Sequence, residues 1–302
     1  MNPLTHSYYS GASDAQIIYE TIGTYFDKIA DMHSANPALV VRHQGVNWTY
    51  GELQARVNRL ATGLIHLGIK PGDRVGIWGP NSSEWVLVQL ATAKIGAIMV
   101  CINPAYRLYE LEYALNKVEC KTLITDVRFK TSDYLGMINT LAPELENSHS
   151  GQLEAEKLPH LKHVIRMGSD TTPGMYNFDV VCTAGTPDDQ ATLDALQAAL
   201  QPDDAINIQF TSGTTGNPKG ATLSHCNILN NGFLTGLAMQ LGPADKLCIP
   251  VPLYHCFGMV LSVLACVSHG ATMVFPGPSF DSEETLKSVE AEGCTALHGV
   301  PT

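Results

Sequence analysis

The stretch Phe210–Gly220 reads FTSGTTGNPKG and follows an alternating apolar run, Ile206–Phe210, that predicts a half-buried strand. It contains three glycines, one proline, several small hydroxylated residues and a single cation, Lys219. With so little side-chain bulk, backbone N–H groups and hydroxyls can close on an anion, and the lysine adds a positive charge. The stretch therefore predicts a loop that binds polyphosphate, with an ordinary flexible turn as the alternative.

Two common phosphate-binding patterns are excluded by the residues of this loop. The Walker-A pattern has Gly before the lysine and Ser or Thr after it, whereas Pro218 and Gly220 occupy those places. The dinucleotide fingerprint needs a Gly-x-Gly pair, and neither Gly213 nor Gly216 has a glycine two residues away. The loop instead resembles the signature loop of the adenylate-forming superfamily, which includes acyl-CoA synthetases, luciferases and peptide-synthetase adenylation domains.

The composition is that of a globular protein. The 302 residues are 45% hydrophobic and 16% charged. A formal net charge of −11 without a basic stripe argues against a nucleic-acid partner. The longest apolar run, Cys256–Val267, is too short to span a bilayer and predicts a buried helix, so we expect no stable membrane insertion. Eight cysteines without a Cys-x-x-Cys pair, and no targeting pattern at the start, favour reduced thiols and a cytoplasmic location.

Strand-like and helix-like segments alternate along the chain. Ala38–Val41 and Val46–Trp48 predict a strand pair, and the continuously apolar run Ile98–Ile102 predicts a strand buried on both faces. Strand–helix–strand units at this spacing predict an α/β fold with parallel sheets wrapped by helices. We predict a first α/β subdomain with an exposed connection at 1–204, and a subdomain carrying the phosphate loop and an acyl pocket at 205–302.

Local signals predict further details of the chain. Thr49 with Glu52 predicts a capping box, and Asn81 with Glu84 is expected to cap the following helix. The polar segment Glu144–Lys157 predicts an exposed excursion. Residues 171–204, with one short helix, predict a surface connection.

The resemblance to the adenylate-forming superfamily extends beyond the loop. Trp48–Leu53 (WTYGEL), Ala91–Pro104 (ATAKIGAIMVCINP) and Pro252–Met259 (PLYHCFGM) are similar to further elements of that family. Together with GPNS at 79–82, they suggest the medium-chain acyl-CoA ligase branch. The resemblance implies the large amino-terminal part of such an enzyme, truncated before the small carboxyl-terminal domain.

The resemblance implies an ATP-dependent, AMP-forming ligase. In such enzymes a carboxylic acid, here a medium- or long-chain fatty acid, reacts with ATP to give an acyl-adenylate and pyrophosphate, and the thiol of coenzyme A then displaces AMP. Mg²⁺ is the implied metal, with the Thr211 hydroxyl as one ligand. The alternative is a truncated, non-catalytic module that binds a nucleotide or an acyl group.

The site residues follow from the same resemblance. Lys219 and His255 are the expected catalytic residues, with His255 beside the acyl carboxylate, and His225 is expected to be structural. The residues expected to bind the phosphates of ATP are Thr211, Ser212, Gly213, Thr214, Thr215, Gly216 and Lys219. Those expected at the acyl group are His255, Phe257, Gly258, Met259 and Gly299, with ordinary core packing as the alternative and as an equal one for Met259.

The end of the chain carries an expectation of its own. Pro301-Thr302 follows a predicted strand and is a helix-start signal with no helix after it. We therefore expect an amino-terminal portion whose activity alone is doubtful. The family's Tyr-Gly-x-Thr-Glu element, its ribose-binding Asp, its hinge and its mobile-domain lysine are expected beyond residue 302. The acyl length and the oligomeric state stay open, with a homodimer as one option.

Overall fold

A computed structural model describes residues 16–211 and 217–301 of the chain. Within these residues the strands are β1 (Pro37–Val41), β2 (Val46–Thr49), β3 (Arg74–Trp78), β4 (Ile98–Ile102), β5 (Thr122–Thr125), β6 (Arg128–Phe129), β7 (Ser132–Asp133), β8 (His163–Arg166), β9 (Tyr176–Asn177), β10 (Ala205–Thr211), β11 (Lys219–Ser224), β12 (Lys246–Cys248), β13 (Thr272–Phe275) and β14 (Ala296–Leu297).

The α-helices of the same residues are α1 (Ile22–Met32), α2 (Tyr50–His66), α3 (Ser83–Ile95), α4 (Leu108–Lys117), α5 (Tyr134–Leu141), α6 (Phe178–Ala184), α7 (Pro187–Ala199), α8 (His225–Ala238), α9 (Cys256–Gly258), α10 (Ala265–His269) and α11 (Ser282–Glu292). Short 3₁₀ helices span Arg42–Gln44 and Pro143–Asn147, and a π-helix spans Met259–Leu264. No helix of the described chain has the length and apolar content needed to cross a membrane.

The strands form two large sheets that are mostly parallel. The seven-stranded sheet has the order β11-β10-β4-β3-β5-β8-β9, and only the β10–β11 pair in it is antiparallel. The five-stranded sheet has the order β14-β12-β13-β1-β2, with β1–β2 as its antiparallel pair. The predicted α/β fold with parallel sheets is confirmed, as is the strand pair near the start of the chain.

The seven-stranded sheet is covered on both faces, as the apolar run in β4 predicts. Met99 and Cys101 belong to one hydrophobic cluster, whereas Val100 and Ile102 belong to another. Because successive side chains of a strand point to opposite faces, one strand can serve two cores only if it has no polar face.

The predicted boundary at residue 204 does not follow the sheets. Strands β1 and β2, from the first predicted subdomain, extend the five-stranded sheet by pairing with β13. Strands β10 and β11, from the second, extend the seven-stranded sheet by pairing with β4. Each sheet therefore takes strands from both sides of the boundary.

Two segments predicted as exposed contribute to the core. In the segment Glu144–Lys157, Leu145, Leu153 and Ala155 are buried. In the segment 171–204, helices α6 and α7 pack on α2. At Gly63 of α2 a Cβ atom would lie only 1.9 Å from the carbonyl oxygen of Val181. Polar composition misled both predictions, since a few apolar side chains anchor these segments.

The two predicted helix starts have different outcomes. Thr49 and Glu52 form the expected capping box of α2. Helix α3 instead has Ser82 as its N-cap without a side-chain hydrogen bond, and the N–H of Ser83 donates to Gln44 Oε1 at 2.7 Å. The prediction that Asn81 caps this helix is wrong, because its side chain bonds to a distant loop.

Two histidines are buried away from the predicted site. His225 is fully buried, and its Nδ1 accepts a 3.1 Å hydrogen bond from the N–H of Ile22, which attaches α1 to the start of α8. His163 is 7% exposed and packs near the ring of Tyr176. Burial, joined at His163 by nearby Lys121, lowers the pKa of each imidazole to about 4. Their contacts are structural.

These two histidines predict a loss of stability in mild acid. An unfolded histidine takes up a proton below about pH 6.5, whereas the folded pKa of both groups is about 4. Their contribution is therefore complete above pH 6.5 and is lost as the pH falls towards 4. We expect a slope of about 1.4 kcal/mol per pH unit for each histidine in that window, measured by urea unfolding at several pH values.

Matched variants separate this effect from general acid sensitivity. His225→Asn and His163→Gln are expected to flatten the slope, whereas His160→Gln, at an exposed position, should leave it unchanged. An equal slope in all four proteins would contradict the assignment.

Candidate active site

The carboxyl ends of strands from both sheets meet at one residue, Asn81, which follows β3. Its Nδ2 donates to the carbonyl of Val251 at 2.9 Å, and its Oδ1 accepts from the N–H of Leu253 at 2.8 Å. Its backbone N–H donates to the carbonyl of Pro278 at 3.0 Å. Val251 and Leu253 follow β12, and Pro278 follows β13. Asn81 is 3% exposed, so these bonds are shielded from water.

This arrangement brings the described residues Thr211, Lys219 and His255 to the joined carboxyl edges of the two sheets. The phosphate loop leaves the carboxyl end of β10, and His255 lies in the segment after β12. Ligands of open α/β sheets bind outside the carboxyl ends of the strands. Asn81 joins the two carboxyl edges and therefore unites the two halves of the candidate site.

Lys219 and Thr211 face each other across the β10–β11 pair, at the end where the phosphate loop begins. Both residues are exposed, and the Thr211 hydroxyl lies 3.4 Å from the carbonyl oxygen of Lys219. No carboxylate of the described chain forms an ion pair with Lys219. The remaining predicted phosphate ligands, Ser212, Gly213, Thr214, Thr215 and Gly216, lie outside the described residues.

A cavity of about 430 Å³ lies beside His255 and is mostly apolar. We call it the apolar cavity. Its lining residues are Pro250, Val251, Pro252, Tyr254, His255, Phe257, Phe280, Thr285, Leu297, His298, Gly299 and Val300. Three of the residues predicted at the acyl group, His255, Phe257 and Gly299, are among them. Sequence reasoning missed Phe280 and Leu297, which expose 59% and 50% of their surface despite being apolar.

Two other residues predicted at the acyl group do not border this cavity. A Cβ on Gly258 would lie 2.3 Å from the carbonyl oxygen of Pro252, so this glycine permits a close backbone approach. Met259 is 1% exposed, and its sulfur contacts Cys101 and Gln209 in the core. Gly258 ends α9 and Met259 begins the π-helix, and neither the close backbone approach of the first nor the core contacts of the second support their assignment to the acyl pocket.

Tyr106 packs against β10, the strand that leads into the phosphate loop. Its ring meets that of Phe210 edge to face, with centroids 6.4 Å apart. Burial raises the pKa of its hydroxyl, and smaller contributions come from Glu110, Tyr113 and Tyr254. Sequence reasoning missed Tyr106 and the bridging role of Asn81, because both depend on contacts between segments distant in the chain.

The imidazole of His255 is oriented by its own helix. His255 is the N-cap of α9, and its Nδ1 accepts a 3.1 Å hydrogen bond from the N–H of Phe257. A neutral imidazole has one acceptor and one donor nitrogen. Since Nδ1 accepts, the proton of the neutral ring is on Nε2, which can donate to a carboxylate.

The comparison with known proteins agrees with these features. A family model described as AMP-binding enzyme matches residues 26–302. The chain belongs to this family. The membership predicted from the loop and its companion motifs is thereby confirmed.

Curated relatives of this AMP-binding chain include acyl-CoA ligases. The medium-chain acyl-CoA ligase ACSF2, mitochondrial, of Rattus norvegicus is 43% identical over 300 residues, which cover 98% of this chain and 49% of that protein. The putative acyl-CoA synthetase YngI of Bacillus subtilis (strain 168) is 42% identical over 288 residues, with 95% and 52% covered. The chain spans about half the length of the curated relatives it matches.

Solved structures of ligases share the fold of this AMP-binding chain. The anthranilate CoA ligase AuaEII in complex with anthranoyl-AMP aligns with a TM-score of 0.78 at 22% identity, covering 96% of this chain and 51% of the other. The long-chain-fatty-acid-CoA ligase FadD1 of Archaeoglobus fulgidus aligns with a TM-score of 0.76 at 23% identity, covering 98% and 54%. At this identity the likeness shows the fold alone.

The bonds of Asn81 predict a specific local defect in Asn81→Ala. The substitution leaves the Val251 carbonyl and the Leu253 N–H buried without partners, at a cost of about 1–3 kcal/mol each. We expect urea unfolding to report a loss of roughly 2–6 kcal/mol. Hydrogen exchange is expected to accelerate at the Leu253 amide in particular.

Asn116→Ala is the matched control, because Asn116 donates to the Lys157 carbonyl at an exposed site. It should cost well under about 1 kcal/mol, as surface substitutions usually do. Unchanged protection of Leu253 in Asn81→Ala would contradict the role of Asn81.

Proposed function

We propose that this chain is the amino-terminal part of an AMP-forming fatty-acid–CoA ligase. The complete enzyme would join a carboxylic acid to ATP, releasing pyrophosphate, and then transfer the acyl group from AMP to coenzyme A. One observation carries the proposal: Lys219, at the start of β11, and the apolar cavity with His255 lie at adjoining carboxyl edges of the two sheets.

The first step requires two anions to approach each other. The acid's carboxylate must reach the α-phosphorus of ATP, so catalysis depends on positioning and on neutralising charge. Lys219 would neutralise the outer phosphates, which leave as pyrophosphate. The Nε2–H of His255 would donate to the carboxylate and hold it at the mouth of the cavity. Each charge-assisted hydrogen bond of this kind contributes about 1.5–3 kcal/mol.

The apolar cavity accounts for the fatty-acid part of the proposal. Its volume of about 430 Å³ falls within the range of small-molecule sites. Each methylene group buried there contributes about 0.8 kcal/mol, so an alkyl chain provides most of the affinity. The 43% identity to a medium-chain ligase favours a medium-chain acid over a long-chain one.

The described residues support the proposed Mg²⁺ ion and coenzyme A to different degrees. Mg²⁺ usually takes its ligands from phosphates and water together with one or two protein oxygens. The Thr211 hydroxyl fits as one such oxygen, but within the described ranges no cluster of three His, Cys, Asp or Glu could hold the ion without nucleotide. Coenzyme A would bind as the second substrate, and we assign no residue to it.

Location and assembly belong to the same proposal. We infer a cytoplasmic enzyme from the cysteines, all of which are free in the structure. The name of the rat relative places that protein in mitochondria, so imaging of a tagged full-length protein is the appropriate test. The homodimer stays a prediction that light scattering of the parent enzyme can test.

A non-catalytic binding module is the second candidate, because the chain spans only about half of its relatives. Calorimetric titration of the 302-residue chain with ATP and with decanoate, followed by a pyrophosphate assay, separates the candidates. Binding without turnover in the chain, together with turnover in its longer parent, supports the ligase. Binding without turnover in both supports the module.

The proposal predicts a selective defect in Lys219→Ala of the parent enzyme. Loss of one charge-assisted bond to phosphate corresponds to about a 10- to 100-fold fall in kcat/KM for ATP-dependent pyrophosphate release. Lys70→Ala is the matched control, because Lys70 is exposed near the amino end of β3, at the opposite edge of the same sheet. An equal effect, or none, in both variants would defeat the assignment of the loop.

A further inference from the structure

A chain of hydrogen bonds lies behind the wall of the apolar cavity. The Ser262 hydroxyl donates to the Phe257 carbonyl at 2.9 Å, and its oxygen lies 2.7 Å from Nδ1 of His298. The Phe257 N–H donates in turn to His255. Ser262 is fully buried, whereas Phe257, His255 and His298 line the cavity.

The π-helix explains why Ser262 reaches Phe257. In an α-helix a serine hydroxyl bonds to a carbonyl three or four residues earlier. Ser262 lies in the π-helix Met259–Leu264, whose backbone hydrogen bonds join residues five apart, and the carbonyl that its hydroxyl contacts is also five residues earlier. Such π-helical turns are rare in proteins overall, and those that occur are often found at functional sites. An α-helix here would leave the Phe257 carbonyl without this bond.

Counting protons determines which group donates and which accepts at each hydrogen bond of this series. Ser262 has one hydroxyl proton, and if it goes to Phe257 the oxygen must accept from His298 Nδ1–H. Burial lowers the pKa of His298, so its ring is neutral at pH 7 and has one N–H. The alternative tautomer would place that proton against the Met239 sulfur, 3.2 Å from Nε2, and would remove the bond to Phe257. A thioether is a weak acceptor, so the Nδ1–H form is favoured.

The same series of hydrogen bonds fixes Phe257, the residue that orients His255. The Phe257 carbonyl is held by Ser262, its N–H is bonded to His255, and its ring lies 5.1 Å from the ring of His298. The backbone N–H of His298 donates to the Cys248 carbonyl, so the His298 end of this hydrogen-bond series is attached to β12. Movement of Phe257 would release the imidazole of His255 from its single orientation.

We propose that Ser262 and His298 are positioning residues that act through Phe257 to keep His255 in the Nε2–H tautomer facing the substrate carboxylate. This inference rests on the proposed function for the identity of the substrate, but not for the hydrogen-bond chain itself. Neither residue needs to touch the reacting atoms.

The tautomers can be observed directly in the 302-residue chain labelled with ¹⁵N-histidine. Signals of His255 and His298 are assigned from their absence in His255→Gln and His298→Phe. In the unmodified chain we expect the proton on Nε2 of His255 and on Nδ1 of His298. In Ser262→Ala, both imidazoles are expected to become tautomer mixtures. The dissociation constant for decanoate is expected to rise about 3- to 10-fold, the effect of one neutral hydrogen bond.

Ser268→Ala is the matched control, because Ser268 is a buried helix serine bonded to a carbonyl and close to a different histidine, His269. It should leave the signals of His255 and His298 unchanged. If Ser262→Ala does not fold, His298→Phe provides the same test, since it keeps an aromatic ring beside Phe257 and removes the donor.

Two results would overturn the inference: a proton on Nε2 of His298 in the unmodified chain, or a single His255 tautomer that survives both Ser262→Ala and His298→Phe. If the tautomers change as expected while decanoate binds to no protein, including the unmodified chain, the positioning role stands. That result would count against the fatty-acid proposal instead.

Discussion

The amide of Asn81 is the contact on which the arrangement of the candidate site depends. Asn81 lies in the loop after β3 of the seven-stranded sheet. Its side chain bonds to the Val251 carbonyl and the Leu253 N–H, which follow β12 of the five-stranded sheet. Packing between two α/β layers is set mainly by apolar side chains and is not directional. A buried amide with two defined partners is directional, and it fixes how the carboxyl edges of the two sheets face each other.

Charge and polarity are distributed over this edge in a way that suits a reaction between anions. The body of the protein carries a formal charge of −11, which repels a nucleotide in general. Lys219 places a positive charge at the start of β11, and His255 offers an imidazole nitrogen beside an apolar cavity. The proposed mechanism needs both groups, because one holds the leaving phosphates and the other holds the attacking carboxylate.

Much of the fold could be predicted from the sequence because its signals are local. The capping box at Thr49 depends on residues three apart, and the two-sided burial of β4 depends on five consecutive apolar residues. The sheet to which each strand belongs could not be predicted in this way. Strand β1 pairs with β13 across more than two hundred residues of chain, so the boundary placed at residue 204 has no local signal behind it.

The residues of the candidate site could be predicted from the sequence only where they belong to a motif. Pro252–Met259 led to His255 and Phe257, which do line the cavity. The same resemblance assigns Gly258 and Met259 to the acyl group, but Gly258 lies against the Pro252 carbonyl and the Met259 sulfur lies in the core. The roles of Asn81 and Ser262 were not predictable, because one bonds across about 170 residues and the other depends on a π-helix that no periodicity reveals.

The central claim is that nucleotide phosphates and an alkyl chain bind on either side of the carboxyl edge that Asn81 joins. A crystal structure of the longer parent enzyme with a non-hydrolysable ATP analogue and decanoate tests it most directly. The account predicts phosphates within hydrogen-bond distance of Lys219 and an alkyl chain between Phe257 and Leu297. A triphosphate remote from Lys219, with the acid outside the apolar cavity, would contradict it.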